Sequence, residues 1–220
     1  MFDFAAARRM MVDCQVRTSD VTDQRIIAAM LELPRERFVP ESHASLAYLD
    51  LDIAVTAGTP ARRLLKPMVL AKFVQAAEIR PQDRVLDVAC GTGYSTALLA
   101  ALAHHVVAVE EDATLVRHAR ENLAAVGAAN AEVVEGSLTD GWQAGAPYDV
   151  ILINGAAEMV PERLLRQLAE GGRLVAVVGR PPASKAMLYL VSSGQVSPLP
   201  IFDAAAPALP GFAVPPAFVF

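Results

Sequence analysis

Val85-Leu86-Asp87-Val88-Ala89-Cys90-Gly91-Thr92-Gly93-Tyr94 sets an apolar, largely β-branched run carrying one acid directly before a two-glycine turn. Val85 to Val88 has the composition of a strand buried on both faces of a parallel sheet. Gly91 and Gly93 give the chain after it the freedom of a sharp turn, and they remove Cβ atoms that would hold a ligand off the main chain. Ser95 to Leu102 then reads as a helix whose free N–H groups and positive end point back at the turn. A ligand cradle fits this pattern, and so does a plain strand-to-helix turn.

The neighbouring residues separate these readings. Thr96 stands where a dinucleotide loop carries its third glycine, the one that lets helix and strand pack closely. Asp87, an acid just ahead of the glycines, repels a pyrophosphate and suits a cationic sulfonium-and-ammonium ligand. His104 to Val109 reads as a second strand and ends in Glu110-Glu111-Asp112. An acid at that tip can accept both hydroxyls of an adenosine ribose. Glu110 is assigned that role with Glu111 beside it, while Asp112 caps the helix Ala113 to Val126. Glu132 to Leu138 gives a third strand and turn, where Ser137 and Leu138 meet an adenine edge. The expected cofactor is therefore S-adenosylmethionine, held by Asp87, Ala89, Cys90, Gly91, Thr92, Gly93, Tyr94, Glu110, Glu111, Ser137 and Leu138. For Cys90 a thiol activated at a helix N-terminus is one reading, and a small side chain beside the cofactor is the other.

Working outward, Tyr148 to Asn154 is a fourth strand and Gly171 to Gly179 a fifth. Strands alternate with helical segments, which predicts a mostly parallel α/β sheet with helices on both faces. Ala186 to Val191 and Gln195 to Phe202, joined at Ser192-Ser193-Gly194, predict an antiparallel C-terminal hairpin. Upstream, Phe2 to about Gln15 is helical, and a second helix begins near Asp20, taken as its N-cap. Tyr48 to Pro67 shows no clean periodicity and carries Arg62-Arg63-Leu64-Leu65-Lys66. It reads either as a loop over the site or as a solvated basic loop. Residues 1–67 then form a helical extension with an acceptor-side loop, and 68–220 the cofactor-binding core with hairpin and tail, in one compact unit.

Composition narrows the class. The chain has 220 residues, 54% of them hydrophobic, enough for one well-filled core. A net charge of −5 offers no basic surface for nucleic acid, and no stretch is long and apolar enough to suggest a membrane span. Cys14 and Cys90 form no paired motif, which favours a reducing, cytoplasmic setting, and the N-terminus lacks the features of a secretion signal. His43, His104, His105 and His118 have no ligand spacing, so no metal is expected. The apolar end Phe218-Val219-Phe220 reads as packing on the body or on another copy, which would make a homo-oligomer.

The glycine turn, Glu110-Glu111, Glu135-Gly136-Ser137, Gly141-Trp142, Ala146 to Ile151 and Gly171 to Gly179 resemble the protein-L-isoaspartate O-methyltransferases. So do Asp23-Gln24-Arg25-Ile26-Ile27-Ala28-Ala29-Met30 and Leu33-Pro34-Arg35-Glu36-Arg37-Phe38-Val39-Pro40. The resemblance implies a Rossmann-like methyltransferase fold and methylation of the carboxylate of isoaspartyl residues in damaged proteins, with isoaspartyl proteins or peptides as partners. An ionised carboxylate needs no general base, so the missing triad is no objection. One departure stands out. The family carries Gly-x-Gly-x-Thr-Ile-Ser-Gln-Pro before the helix leading to the glycine turn, and the hydroxyl there is the residue named as catalytic. Anchored on Pro67, Leu65 takes the serine position, Arg63 the threonine and Lys66 the glutamine. No catalytic residue is assigned; Thr56 or Thr59 could stand in for the hydroxyl after a loop shift. Arg62, Arg63, Asn154 and Ala156 are placed on the acceptor side, the arginines as a clamp for a substrate carboxylate. The alternatives are a different methyl acceptor, or a homologue that binds S-adenosylmethionine or S-adenosylhomocysteine without turnover.

Overall fold

The N-terminal block folds as α1 (Phe4–Met11) and α2 (Gln24–Glu32), with a π-turn and a 3-10 turn over 12–19 between them. These belong to a computed structural model that describes residues 2–58 and 60–214. The cap of α2 is Asp23, which accepts from Arg25 N at 2.9 Å, and not Asp20, whose φ of 64° places it in the left-handed region. A contact distant in sequence decides between the two acids. Gln75 accepts from the Thr22 and Asp23 amides and donates to the Asp20 carbonyl, so the chain turns before Asp23.

A 3-10 segment follows at Glu41–Leu46, and the stretch from Tyr48 to Pro67, expected to be a loop, contains a two-residue hairpin, β1 (Ile53–Ala54) against β2 (Arg63–Leu64). Next come α3 (Pro67–Ala76), β3 (Arg84–Val88), α4 (Tyr94–Ala100), β4 (His105–Glu110), α5 (Ala113–Ala125) and β5 (Ala131–Glu135). The chain continues through β6 (Tyr148–Ala157), α6 (Glu162–Leu165), β7 (Leu168–Val178), β8 (Lys185–Ser192) and β9 (Gln195–Asp203). Pro67 opens α3 at a position where its missing N–H is harmless, and Asp112 caps α5 through the Thr114 and Leu115 amides.

Seven strands form one sheet in the order β5-β4-β3-β6-β7-β8-β9. Pairings from β5 to β7 are parallel, and the two that add β8 and β9 are antiparallel. The expected α/β sheet and terminal hairpin are both present, the hairpin turning at Ser193 and Gly194 with φ of 54° and 71°. Alternation splits the core. Val85, Val106, Val150 and Val175 pack with α3, α4, α5 and the N-terminal block. Leu86, Val107, Ile151 and Leu174 face Trp142, Leu164 of α6, Leu209 and Phe212. Helices thus lie on both faces, but the second face is covered mainly by loops and the C-terminal segment. That segment returns to the sheet, where Ala208 bridges Ala156 in parallel.

β3 lies in the middle, with β4 and β5 to one side and β6 and β7 to the other. The crevice at the C-terminal ends of β3 and β6 is therefore the topological switch point, where ligands of open α/β sheets bind. Among the described residues no helix is long and apolar enough to cross a membrane. Phe218, Val219 and Phe220, on which the self-association expectation rests, lie outside the described residues, as does Thr59.

Candidate active site

At the C-terminal end of β3 the chain turns sharply through Ala89 (φ 62°), Gly91 (59°) and Gly93 (94°). Left-handed backbone costs a non-glycine residue about 1–2 kcal/mol, and Ala89 is held there by its amide on the Val109 carbonyl at 2.9 Å. At Gly93 a Cβ would come within 3.3 Å of Ala119 in α5, so this glycine also permits close helix packing. A Cβ at Gly91 would meet nothing within 4 Å, which leaves that side of the turn clear for a ligand to approach the main chain.

Asp87 is fully buried beneath the turn. Its carboxylate accepts from Ser95 Oγ at 2.8 Å, Thr96 Oγ1 at 2.6 Å and Asn154 Nδ2. Thr96 thus fills the place of a dinucleotide loop's third glycine with a hydroxyl turned onto the strand acid. Burial pushes the Asp87 carboxyl up to about 6; the Thr96, Ser95 and Asn154 hydrogen bonds oppose the rise and the nearby Glu110 charge adds to it. Burial also pushes the Cys90 thiol well above its ordinary value, with the Asp87 and Glu110 charges adding to it. Of the two readings of Cys90, a small side chain lining the turn fits this environment and an activated thiol does not.

Glu110 ends β4 beside the turn and is also fully buried. It accepts from the amides of Gly91 at 2.9 Å, Glu111 at 3.0 Å and Asp112 at 3.3 Å. Its other partner was not foreseen on this side of the site. Arg62 donates through both terminal nitrogens, Nη1 to Oε1 and Nη2 to Oε2, each at 2.8 Å. The guanidinium comes from the loop between β1 and β2, which is cinched by Arg62 N on Thr56 Oγ1 at 2.9 Å and Val55 N on the Arg62 carbonyl at 2.9 Å. Thr56 is therefore committed to loop structure.

The other expected residues sort as follows. Thr92 and Tyr94 are buried at the turn, Thr92 donating to the Phe38 carbonyl at 2.6 Å. Leu138 is buried, whereas Glu111 and Ser137 are exposed, Ser137 within 3.2 Å of Thr139 Oγ1. Asn154 joins the Asp87 cluster. Arg63 is exposed and donates to the Asp52 carbonyl at 2.9 Å. Ala156 sits under the C-terminal segment, its amide on the Pro207 carbonyl at 2.7 Å. Leu65 is buried, and its carbonyl accepts from Arg35 Nη2 at 2.7 Å.

Arg35 is a residue the sequence reading missed. Fully buried, it also donates to the Ala47 carbonyl at 2.7 Å and lies 4.7 Å from the Tyr94 ring centroid. No local pattern marks it, since Glu36 and Arg37 beside it are charged too, and only folding brings the Ala47 and Leu65 carbonyls to its guanidinium.

A small cavity of about 10 Å³ separates the loop from the turn, bordered by Val55, Leu65, Gly91, Ser95 and Asn154. The donor set fits S-adenosylmethionine: two buried carboxylates, one able to receive a diol, and a glycine turn clear of side chains. Seating a ribose on Glu110 requires Arg62 to leave it. Among the described residues no group of three or more His, Cys, Asp or Glu could hold a metal ion.

Comparison with known proteins places this geometry in a lineage. The sequence profile of the protein-L-isoaspartate(D-aspartate) O-methyltransferase family (PCMT) matches residues 7–196. A protein-L-isoaspartate O-methyltransferase of Methanoculleus marisnigri is 39% identical over 194 residues, 88% of this chain and 87% of that one. One of Koribacter versatilis is 40% identical over 188 residues, 86% and 82% of the two chains. Among solved structures, a protein-L-isoaspartate O-methyltransferase superposes with a TM-score of 0.80 at 25% identity, covering 93% of this chain and 66% of that one. A structure from Plasmodium falciparum, assigned to the same class and solved with S-adenosyl-L-homocysteine, has a TM-score of 0.77 at 18% identity over 95% of this chain and 99% of its own, which speaks for the fold. The chain belongs to the protein-L-isoaspartate(D-aspartate) O-methyltransferase family.

Proposed function

We propose that this chain is an S-adenosylmethionine-dependent carboxyl methyltransferase acting on isoaspartyl residues of proteins or peptides. The observation that carries the reading is the pairing of two buried carboxylates, Asp87 and Glu110, around a side-chain-free glycine turn at the switch point, in a chain of this family. S-adenosylmethionine supplies an electrophilic methyl on a sulfonium. Glu110 would hold the ribose hydroxyls, its carboxylate aimed by the Gly91, Glu111 and Asp112 amides. Asp87, braced by Ser95, Thr96 and Asn154, would supply negative charge to the cationic side of the ligand.

The acceptor carboxylate is ionised near neutral pH and brings its own nucleophile, so the protein need not remove a proton. Bound S-adenosylmethionine would supply the methyl: a carboxylate oxygen would form the O–CH3 bond as the S–CH3 bond broke with its electron pair left on sulfur, giving a neutral ester and a thioether. The work left to the chain is alignment and exclusion of water. The hairpin of β1 and β2 is placed for both, since its loop reaches Glu110 through Arg62 and Arg35 fixes the chain just past β2 at the Leu65 carbonyl. The N-terminal extension and the core act as one unit in this reading, because Thr92 of the glycine turn is tied to the Phe38 carbonyl. A cytoplasmic setting agrees with the free Cys14 and Cys90.

Buried Leu65 at the family's hydroxyl position favours one second reading, a different carboxylate acceptor. Incubation with labelled S-adenosylmethionine and an isoaspartyl peptide, against its normal aspartyl twin, tests the assignment. Base-labile methyl ester on the isoaspartyl peptide alone is expected. Equal labelling of both peptides, or labelling of neither while a small carboxylic acid is esterified, refutes it.

A further inference from the structure

Resting on the proposed function, we infer that Arg62 is a carboxylate receptor that changes partner during the catalytic cycle: it is stored on Glu110, and ribose binding releases it to the acceptor's carboxylate. The two-nitrogen contact with Glu110 at 2.8 Å uses the fork geometry by which arginine recognises carboxylates. Three backbone amides already point at Glu110, so the Arg62 fork occupies the outward-facing capacity a ribose diol would use. The two partners exclude one another. Glu110 is fully buried and the Arg62 side chain is 13% exposed, so a displaced guanidinium is not already at home in bulk water and gains by finding another carboxylate.

Its tether places it correctly for that exchange. Arg62 is three residues before Leu65 on the loop over the turn, and its amide and carbonyl are pinned by Thr56 and Val55. The side chain can therefore swing while the backbone stays. A cation here offers the acceptor carboxylate an orienting partner without the hydroxyl that Leu65 lacks. Once the acceptor becomes a neutral ester the attraction ends, so Arg62 returns to Glu110 as nucleoside and ester leave. Donor binds before acceptor, because the receptor is made available by the donor.

Calorimetric titration with S-adenosylhomocysteine on the intact wild-type chain, Arg62→Ala, Arg62→Lys and, as a control, exposed Arg166→Ala tests the inference. Arg62→Ala is expected to bind at least about tenfold more tightly than wild type, about 1.4 kcal/mol, because no internal ligand has to be displaced. Arg166→Ala should match wild type. In steady-state assays Arg62→Ala should raise the KM for isoaspartyl peptide at least about tenfold with a much smaller change in kcat, and Arg62→Lys should recover part of it. Unchanged or weaker binding by a folded Arg62→Ala, with wild type binding normally, overturns the exchange and leaves the proposed function standing. If Arg62→Ala does not fold, Arg62→Lys binding no more tightly than wild type, or leaving peptide KM unchanged, overturns it equally. Wild type failing to bind S-adenosylhomocysteine would remove the proposed function itself.

Discussion

Asp87 is the residue on which pH acts most directly. Burial sets its carboxyl at about 6 against an ordinary 3.8, so the fold favours the protonated form. The contribution is fully present below about pH 4 and is lost as pH rises through 6, a swing of about 3 kcal/mol at most. Binding of a cation has the opposite sign, because the ionised carboxylate attracts it. Affinity for S-adenosylmethionine should therefore weaken as pH falls below about 6, with proton release on binding near that pH. Urea melts and titrations between pH 4 and 7 read both effects, and Asp87→Asn should flatten both. A binding curve for wild type that ignores pH across this window would mean Asp87 does not sense the ligand's charge.

Beside it, Leu65 and Arg62 show what was legible at single residues. Asp87, Glu110 and the glycines were readable because a strand end, an acid and a turn are adjacent in sequence. The partners Ser95 and Thr96 were not assigned to Asp87, since helix α4 is brought over it only by folding. Arg62 was read as facing the acceptor and instead lies on Glu110, a contact spanning 48 residues that no local pattern encodes.

Among the elements, β7 carries a tie that positions the rest. Arg173 donates to the carbonyls of Ala77 at 2.6 Å and Glu78 at 2.7 Å, just past α3, and to the Asp83 carboxylate just before β3. One buried guanidinium thus fixes how α3 enters the central strand. Removing it strands the Asp83 carboxylate and two carbonyls, and breaking a buried pair in this way costs about 3–5 kcal/mol. Arg173→Ala should lose that amount in urea denaturation; a loss below about 1 kcal/mol would mean the tie is dispensable. The strands themselves were plain from their β-branched runs, and the hairpin from Ser193-Gly194. The α2 cap was misread because Asp20 and Asp23 are equivalent locally, and Gln75 of α3 chooses between them. The two-residue strands β1 and β2 are too short to carry any periodicity.

At the scale of the molecule, the fold brings the glycine turn and the loop between β1 and β2 together. The parallel order turns at β3 and β6, the N-terminal block reaches the glycine turn through Phe38 and Thr92, and the loop between β1 and β2 closes on Glu110 through Arg62. Fold class and cofactor chemistry were written in the sequence around Val85 to Tyr94. The arrangement of the loop over that stretch depends on buried Arg35 meeting the Ala47 and Leu65 carbonyls, which is tertiary information. A crystal structure with S-adenosylhomocysteine tests this arrangement most directly. It should show the ribose hydroxyls within hydrogen-bond distance of both Glu110 oxygens, the sulfur facing the loop, and Arg62 displaced from Glu110. A ligand seated elsewhere, or one bound at the glycine turn with the Arg62–Glu110 fork intact, would contradict it.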